Sequence, residues 1–526
     1  MNKVLKYSIA KDELSTSEKV GQLFMPAAFI NDTEEEIKQL EELIVKHSVG
    51  GLCFFHSRAS AATNYESKKK VVYNKDSLKT LKILINRYQN VSKHPLLIAI
   101  DAEWGLAMRI ENTAQYPYAI TLGALPPEND NLIFEVGKNI AIDCKAAGIH
   151  WNLSPVVDIN NNPNNPVIGY RSFGENIEDV TRKAIAYVKG SQSENVLTSV
   201  KHFPGHGDTA TDSHLGLPII HKTKQELEAN ELYPFQKLID EGVDSIMVGH
   251  LSIPSLANGE NIPSSISKKI IKGVLRDEMN FKGVVISDAL NMHAVSKEYP
   301  VKGELEWLAF DAGNDVLCFA ENTAEGINLI LKQASASQIE ESFKRVWLLK
   351  EKAIPKIVNG IEKASILVED LNQEIAKKSI TLVKGNTNAI NNFRIKGFIG
   401  VSNLLASNNH FFKTIKNDLK FISLELIDER IFSEENVLLA LFPPQVKPSN
   451  NFGFTHKEIT LINRLVNKKN VVVFLFGNPY LLNILDIKNT KVLVAAYQNS
   501  IEFQNVAANQ FLGNLDLIGL LPIQTA

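Results

Sequence analysis

Short apolar runs alternate with longer amphipathic stretches through the first two thirds of the chain. The runs predict buried strands, because they are brief, rich in Val, Ile, Leu and Phe, and bounded by turn residues. The predicted strands cover residues 24–28, 52–55, 96–100, 149–153, 197–200, 245–248, 283–287 and 316–319. Because the runs show no polar alternation, each strand is expected to be buried on both faces, as in a parallel sheet.

The stretches between these strands have helical spacing of their apolar residues. Ser15 with Glu18, and Thr33 with Glu36, have the form of capping boxes and predict helix starts. Further helices are predicted at 78–88, 132–147, 180–188, 225–239, 268–275 and 304–310. Eight alternating units favour a closed (β/α)₈ barrel of the TIM type over an open sheet.

A second alternation begins after the helical, charged stretch 335–373. Strands are predicted at 379–383, 398–401, 421–424, 437–442, 471–476 and 492–496. This pattern predicts a smaller α/β layered domain, an αβα sandwich, that packs against the barrel. The expected division is 1–360 for the barrel with its closing helices and 361–526 for the second domain, in keeping with the size limit of a single core.

Composition excludes several classes of protein. The chain has 526 residues, 44% hydrophobic and 22% charged, with a net charge of −3, so neither nucleic-acid nor membrane partners are expected. Its three cysteines are widely spaced and fit neither a disulfide framework nor a zinc knuckle. Without a leader or a membrane-spanning run, the expected location is cytoplasmic, or periplasmic if a leader was trimmed. We expect a monomer or weak oligomer.

Candidate chemistry is concentrated where the predicted strands end. Asp101, the pair Lys201 and His202, His250 and Asp288 all follow apolar runs. In (β/α)₈ barrels the active site lies in the loops after the strands. The segment 201–218 contains three His, two Asp, three Gly and two Pro, which predicts a shaped functional loop beginning at 201.

Asp288 is a candidate carboxylate nucleophile, or an anion that stabilises a developing cation. A helix N-cap is the structural alternative. Asp212 and His214 lie two residues apart, so in an extended loop the carboxylate can orient an imidazole that gives and takes a proton. Asp101, Lys201 and His202 suit the recognition of sugar hydroxyls.

Two further hypotheses rest on the same region. Arg109 and Arg171 are either cationic forks for a ligand or members of structural salt bridges. A metal ion is the rival to acid–base chemistry, but the glycines make the loop poorly suited to coordination, and no metal or other cofactor is expected. Its candidate ligands would be His202, His206, Asp208, Asp212 and His214.

The loop sequence Lys-His-Phe-Pro-Gly-His-Gly-Asp-Thr, followed by Asp-Ser-His, resembles the signature of the family 3 glycoside hydrolases, in their β-N-acetylglucosaminidase branch. The stretches around Asp101, Asp158, Arg171 and Asp288 support the resemblance, and so does Phe-Gly-Asn-Pro-Tyr at 476–480.

The resemblance implies a retaining, two-step mechanism. Asp288 would be the nucleophile, and His214 would be the acid/base tuned by Asp212. The sugar-binding positions would be Asp101, Arg109, Arg171, Lys201 and His202. The activity expected is exo-hydrolysis of terminal N-acetylglucosamine from cell-wall muropeptides or related glycans. Phosphorolysis, another family 3 β-glycosidase activity, a metal-dependent hydrolase and a non-catalytic carbohydrate-binding protein remain alternatives.

Overall fold

The computed structural model describes residues 4–58, 72–209, 216–354 and 366–525. The chain divides into two compact units. The first comprises 1–115, 134–159 and 184–365, and the second comprises 116–133, 160–183 and 366–526. The expected domain boundary at residue 360 lies outside the described residues and stays a prediction.

The first unit is built on parallel strands. They are β1 (Phe24–Met25), β2 (Ala27–Phe29), β3 (Gly51–Phe55), β4 (Leu97–Ile100), β5 (Trp151–Asn152), β6 (Leu197–Phe203), β7 (Ser245–Val248), β8 (Val284–Ser287) and β9 (Leu317–Cys318). Strands β2 to β8 pair in chain order. The ring closes because β1 pairs with β9, and a bridge between Ile286 and Val316 joins β9 to β8. Pro26 separates β1 from β2, so the barrel has the eight strand positions predicted.

Helices accompany these strands, and the first two of them precede β1 in the chain. Their bounds are Tyr7–Glu13, Thr16–Gly21, Glu34–His47, Ser77–Val91, Asp130–Ala147, Ile177–Ser193, Lys224–Ala229, Tyr233–Asp240, Lys269–Glu278, His293–Ser296, Glu304–Ala312, Thr323–Gln333 and Ala336–Ala353. The capping boxes at Ser15 and Thr33 are both formed as predicted. None of the helices in the described ranges combines the length and apolar character that crossing a bilayer requires.

Two local predictions are wrong. The single helix expected over 225–239 is two helices, because Pro234 begins a new first turn where its missing N–H costs nothing. Strand β6 continues through Phe203, so Lys201 and His202 belong to the strand rather than to the loop after it. Both side chains are therefore held by the barrel itself.

The second unit contains a six-stranded sheet. Its strands are β10 (Thr381–Lys384), β11 (Ile399–Ser402), β12 (Ser423–Glu425), β13 (Asn436–Leu441), β14 (Asn470–Leu475) and β15 (Val492–Ala495), in the order β10-β15-β14-β13-β11-β12. Only the pairing of β10 with β15 is antiparallel. Its helices include Ala119–Gly123, Val368–Ser379, Thr387–Arg394, His410–Ile415, His456–Lys468 and Ile501–Leu512. The predicted smaller α/β domain is confirmed.

A buried carboxylate joins three elements of the barrel. Asp315, fully enclosed just before β9, accepts hydrogen bonds from Arg276 Nη2 at 2.6 Å and Arg345 Nε at 2.9 Å. It also accepts from the backbone N–H of Val285 in β8 and from the Ser342 hydroxyl, at 2.9 and 2.8 Å. The two arginines lie on different helices, so one side chain links strand β8 to both.

Replacing Asp315 with Ala is expected to lower the free energy of unfolding of the first unit by about 3–5 kcal/mol, because two arginines lose their buried counter-charge. All four tryptophans belong to this unit, so urea unfolding followed by tryptophan fluorescence reports on it alone. Lys268→Ala, which removes an exposed ion pair with Asp311, is the control and should cost less than about 1 kcal/mol. Equal losses in the two variants would contradict the prediction.

Candidate active site

The sugar-binding candidates Asp101, Arg109 and Lys201 meet in one charged cluster. Asp101 directly follows β4, and its two oxygens accept from Lys201 Nζ at 2.8 Å and from Arg109 Nη2 at 2.7 Å. Lys201 Nζ also lies 2.8 Å from an oxygen of Glu103. The Lys201 side chain is 2% exposed, so its charge depends on these carboxylates.

The turn that carries Asp101 is held from the neighbouring strand. Asn152, the last residue of β5, pairs its side-chain amide with the backbone N–H and C=O of Ala102, at 3.0 and 3.2 Å. Farther along, a short helical turn at Leu106–Met108 returns the chain so that the guanidinium of Arg109 lies over the ring of Phe55, 5.2 Å from its centroid. Asp101 and its partner Arg109 are thus positioned by separate contacts.

The charges determine the ionisation of Asp101. Burial by itself would raise its pKa, but the attraction of Lys201 and Arg109 and their hydrogen bonds outweigh burial and hold the pKa well below its ordinary value. Asp101 is therefore a carboxylate near neutral pH, where it accepts hydrogen bonds and donates none.

A second network lies around His202. The buried carboxylate of Asp158 accepts from His202 Nδ1 at 2.8 Å, from the His202 backbone N–H at 3.2 Å and from the His206 backbone N–H at 2.7 Å. Burial favours a raised pKa for Asp158, but attraction to His202 and these hydrogen bonds lower it. The Asp158 contact orients the imidazole, so that His202 Nε2 is the ring nitrogen turned away from Asp158.

Asp288 stands directly after β8, as predicted. Its backbone N–H donates to the carbonyl of Val248, and one carboxylate oxygen accepts from the Ala289 N–H at 2.7 Å. Burial would raise the pKa of Asp288, but attraction to His250, His202 and Lys201 and the Ala289 hydrogen bond lower it. The next helix begins at His293 after Met292, so Asp288 is not a helix N-cap.

His250, which follows β7, is fixed on both sides of its ring. Nδ1 lies 2.7 Å from the Ser265 hydroxyl and Nε2 lies 2.9 Å from the Ala289 carbonyl. Because a carbonyl only accepts, Nε2 carries a proton. The His250 ring therefore holds Ala289, the residue after Asp288, in place. The same ring favours the ionised form of the Asp288 carboxylate.

Asp212 and His214 lie outside the described residues, and their roles stay predictions. Before them in the chain, Asp208 pairs with Lys222 Nζ at 2.9 Å, and Lys222 also contacts Glu231. Arg171 belongs to the second unit, where it ends the short helical turn Gly169–Arg171 and one guanidinium nitrogen donates to the Val167 carbonyl at 3.4 Å.

Three of the candidate metal ligands, His202, His206 and Asp208, have protein partners instead. Across 4–58, 72–209, 216–354 and 366–525, no three His, Cys, Asp or Glu side chains converge as a metal site. Of the candidate ligands, His202 pairs with Asp158, His206 with Thr209, and Asp208 with Lys222. Asp212 and His214 fall outside those ranges.

Three residues in this region were not among the predicted site residues. Glu103, Asn152 and Asp158 lie in stretches that support the family resemblance, but none of them was given a role. All three follow or end apolar strands, as the assigned residues do, and that position is the signal that could have identified them. The partners named above lie at least 44 residues away in the chain, so spacing alone does not pair them.

Comparison with known proteins identifies the class. Residues 15–349 match the model of the glycosyl hydrolase family 3 N-terminal domain. The beta-hexosaminidase of Tolumonas auensis is 31% identical over 312 residues, which are 58% of this chain and 86% of that protein. This chain therefore belongs to glycosyl hydrolase family 3, as its loop motif predicted.

Two further comparisons differ in how much of the chain they cover. The beta-hexosaminidase A of Pseudoalteromonas piscicida is 35% identical over 292 residues, which are 53% of this chain and 47% of that protein. The match thus spans about half the length of that relative. The structure of a glycoside hydrolase family 3 beta-N-acetylglucosaminidase from Paenibacillus sp. str. FPU-7 has a TM-score of 0.76 and 27% identity, covering 97% of this chain and 99% of that one.

Replacing Lys201 with Met is expected to destabilise the barrel most near neutral pH. Because the pKa of Asp101 is lowered in the folded state, its charge contributes stability that is present above about pH 4 and lost as the pH falls further. The difference in unfolding free energy between wild type and Lys201→Met should therefore narrow below that pH. Lys189→Met removes an exposed ion pair with Glu241 and is the control. Its unfolding free energy should differ little from that of wild type, and this difference should not reflect the ionisation of Asp101.

Urea unfolding at neutral, mildly acidic and strongly acidic pH measures these differences. A gap between wild type and Lys201→Met that stayed constant across the series would show that the ammonium does not interact with Asp101.

Proposed function

We propose that this chain is a retaining exo-β-N-acetylglucosaminidase that releases terminal N-acetylglucosamine from cell-wall-derived muropeptides or related glycans. The observation that carries the proposal is the position of Asp288 directly after β8, where His250, His202 and Lys201 hold its pKa below the ordinary value. An anionic carboxylate in the mouth of a barrel is what attack on a sugar carbon requires. The beta-hexosaminidase relatives support the choice of an acetamido sugar.

The first step forms a glycosyl–enzyme ester. One oxygen of Asp288 is held by the Ala289 N–H, and we assign the other oxygen to attack the anomeric carbon. The bond from that carbon to the aglycone oxygen breaks, and His214 donates a proton to the departing oxygen while Asp212 orients the imidazole. In the second step His214 takes a proton from water, the water oxygen displaces Asp288, and the sugar leaves with its β configuration retained.

The charged cluster provides the sugar subsite in this proposal. Asp101 accepts from sugar hydroxyls, and Lys201, Arg109 and His202 donate to sugar oxygens. By its motif, Arg171 is assigned to sugar binding as well. Lys201 and Arg109 already hold Asp101 in place, so little ordering is needed when sugar binds. The three cysteines are unpaired, which favours a cytoplasmic location for this activity, and we propose that the chain acts as a monomer or weak oligomer.

Asp288→Ala is expected to lower kcat/KM for an aryl β-N-acetylglucosaminide by about 10⁴-fold or more, because the covalent intermediate can no longer form. His214→Ala should cost roughly 10²–10⁴-fold with a poor leaving group and much less with a good one, since a good leaving group needs little protonation. Steady-state kinetics on two aryl glycosides of different leaving-group pKa measure both effects.

Each alternative has its own outcome in that experiment. Loss of wild-type activity with a chelator would support the metal-dependent hydrolase, and phosphate-accelerated turnover that yields a sugar phosphate would support a phosphorylase. Faster turnover of an aryl β-glucoside would indicate a different family 3 glycosidase. Sugar binding without turnover would show a non-catalytic protein, and a fully active Asp288→Ala would refute the assignment of the nucleophile.

Asp158→Asn is expected to lower kcat/KM for the same substrate by about 10–100-fold, because a charged acceptor shared by His202 and His206 loses its charge and one acceptor oxygen. Asp244→Asn is the matched control. Asp244 is also buried, and it accepts hydrogen bonds from Gln192 and from the Thr198 N–H, but it precedes β7 at the opposite end of the barrel. The control should lose stability with little loss of kcat/KM, and equal activity losses would contradict a positioning role for Asp158.

A further inference from the structure

The loop that carries Arg171 is organised by a tyrosine from the C-terminal part of the chain. Tyr480 lies 310 residues beyond Tyr170 in the sequence, yet residues 160–183 and 366–526 belong to the same compact unit. The Tyr480 hydroxyl accepts from Asn160 Nδ2 at 2.7 Å and donates to a Glu175 oxygen at 2.9 Å. Asn160 and Glu175 bracket the loop, so a single hydroxyl joins its two ends.

Asn160 also contacts the turn that leads to Arg171. Its side chain is fully enclosed, and its Oδ1 accepts from the backbone N–H of Gly169 at 3.0 Å. Gly169 has a φ of +39°, a conformation that side chains disfavour, and it begins the helical turn that ends at Arg171. Asn160 therefore connects the Tyr480 hydroxyl to the turn that sets the backbone of Arg171.

Tyr480 itself is rigidly held. Asn478 Oδ1 accepts from the Tyr480 N–H at 3.0 Å, and Asn478 Nδ2 donates to the Val446 carbonyl at 2.8 Å. The ring is 3% exposed and lies at the start of the helical turn Pro479–Ile484. The hydroxyl thus has a fixed position from which to hold the loop.

The far end of the loop is tied to the end of the chain. Glu175 donates its backbone N–H to the Pro522 carbonyl at 3.0 Å, and its second carboxylate oxygen accepts from the Gln524 N–H at 2.8 Å. Burial raises the pKa of Glu175, although the hydrogen bonds from Gln524 and Tyr480 oppose that rise. Both supports of the 160–175 loop therefore come from residues after 470.

We propose that Tyr480 is a positioning residue for sugar binding, which acts through Asn160 and Gly169 to hold Arg171 in its binding geometry. The inference rests on the proposed function, because it takes Arg171 as a sugar-binding residue. The C-terminal part of the chain, which also forms the six-stranded sheet, thereby gains a role in substrate affinity. Tyr480 need not touch the sugar for this role.

The test compares two tyrosine hydroxyls in the same unit. Tyr480→Phe in the full chain should lower kcat/KM for the aryl β-N-acetylglucosaminide and weaken binding of free N-acetylglucosamine by about 5–10-fold, the usual scale for one buried hydrogen bond. Tyr497→Phe is the matched control, since its buried hydroxyl lies 2.8 Å from the Thr381 hydroxyl and takes part in none of the contacts described above for loop 160–175. The control should lose comparable stability with less than about a twofold change in affinity.

A double-mutant cycle separates positioning from general destabilisation. If Tyr480 acts through Arg171, then Tyr480→Phe in an Arg171→Ala background should change sugar affinity by less than about twofold, because the effects of coupled residues do not add. Should Tyr480→Phe fail to fold, Glu175→Gln keeps the shape and weakens the acceptor of the hydroxyl. Its loss of affinity, about threefold, should likewise disappear in the Arg171→Ala background.

Calorimetric measurement of N-acetylglucosamine binding distinguishes failure of the Tyr480 proposal from failure of the proposed activity. If wild type binds the sugar without turning over the aryl substrate, the proposed activity fails while the Tyr480 proposal is still tested by affinity. Equal effects of Tyr480→Phe and Tyr497→Phe, or an effect that persists in full without Arg171, would overturn the inference. If wild type does not bind the sugar at all, both proposals fall.

Discussion

The ammonium group of Lys201 is enclosed by protein, and it can remain charged there because carboxylates of Asp101 and Glu103 face it at 2.8 Å. Burying such a charge without partners would cost several kcal/mol. The ends of β4 and β6 must therefore stay close to each other, and Asn152 at the end of β5 holds the turn that follows β4. Lys201 also contributes, after His250, His202 and the Ala289 hydrogen bond, to the lowered pKa of Asp288.

A single buried carboxylate also organises the residues around His202. One carboxylate, Asp158, accepts from the backbone N–H and the ring of His202 near the end of β6 and from the backbone N–H of His206 beyond it, so the segment that follows β6 is held without regular structure. In the second unit, the amide of Asn160 serves the loop of Arg171 in the same way. In both places a buried side chain with several hydrogen-bonding sites replaces secondary structure where a functional loop has to be irregular.

Much of the fold could be predicted because its causes are local. Each barrel strand is an apolar run, and each observed strand overlaps the predicted one. Ser15 and Thr33 form their capping boxes because the acceptor and donor are three residues apart. The prediction was wrong where a local rule was overlooked at Pro234, and where pairing with β7 extended β6 past Val200. The second of these depends on a neighbour 45 residues away, which no local pattern contains.

By itself, the sequence determined the barrel, the smaller sheet and the positions of Asp101, Lys201, His202 and Asp288 at strand ends, because periodicity and turn residues act over a few positions. Tertiary structure alone decided which of these side chains meet. It paired Asp101 with Arg109 and Lys201, placed Asp158 against His202, and joined residues 160–183 to the unit that contains Tyr480. These contacts depend on distances between residues far apart in the chain, and only the folded barrel and sheet set those distances.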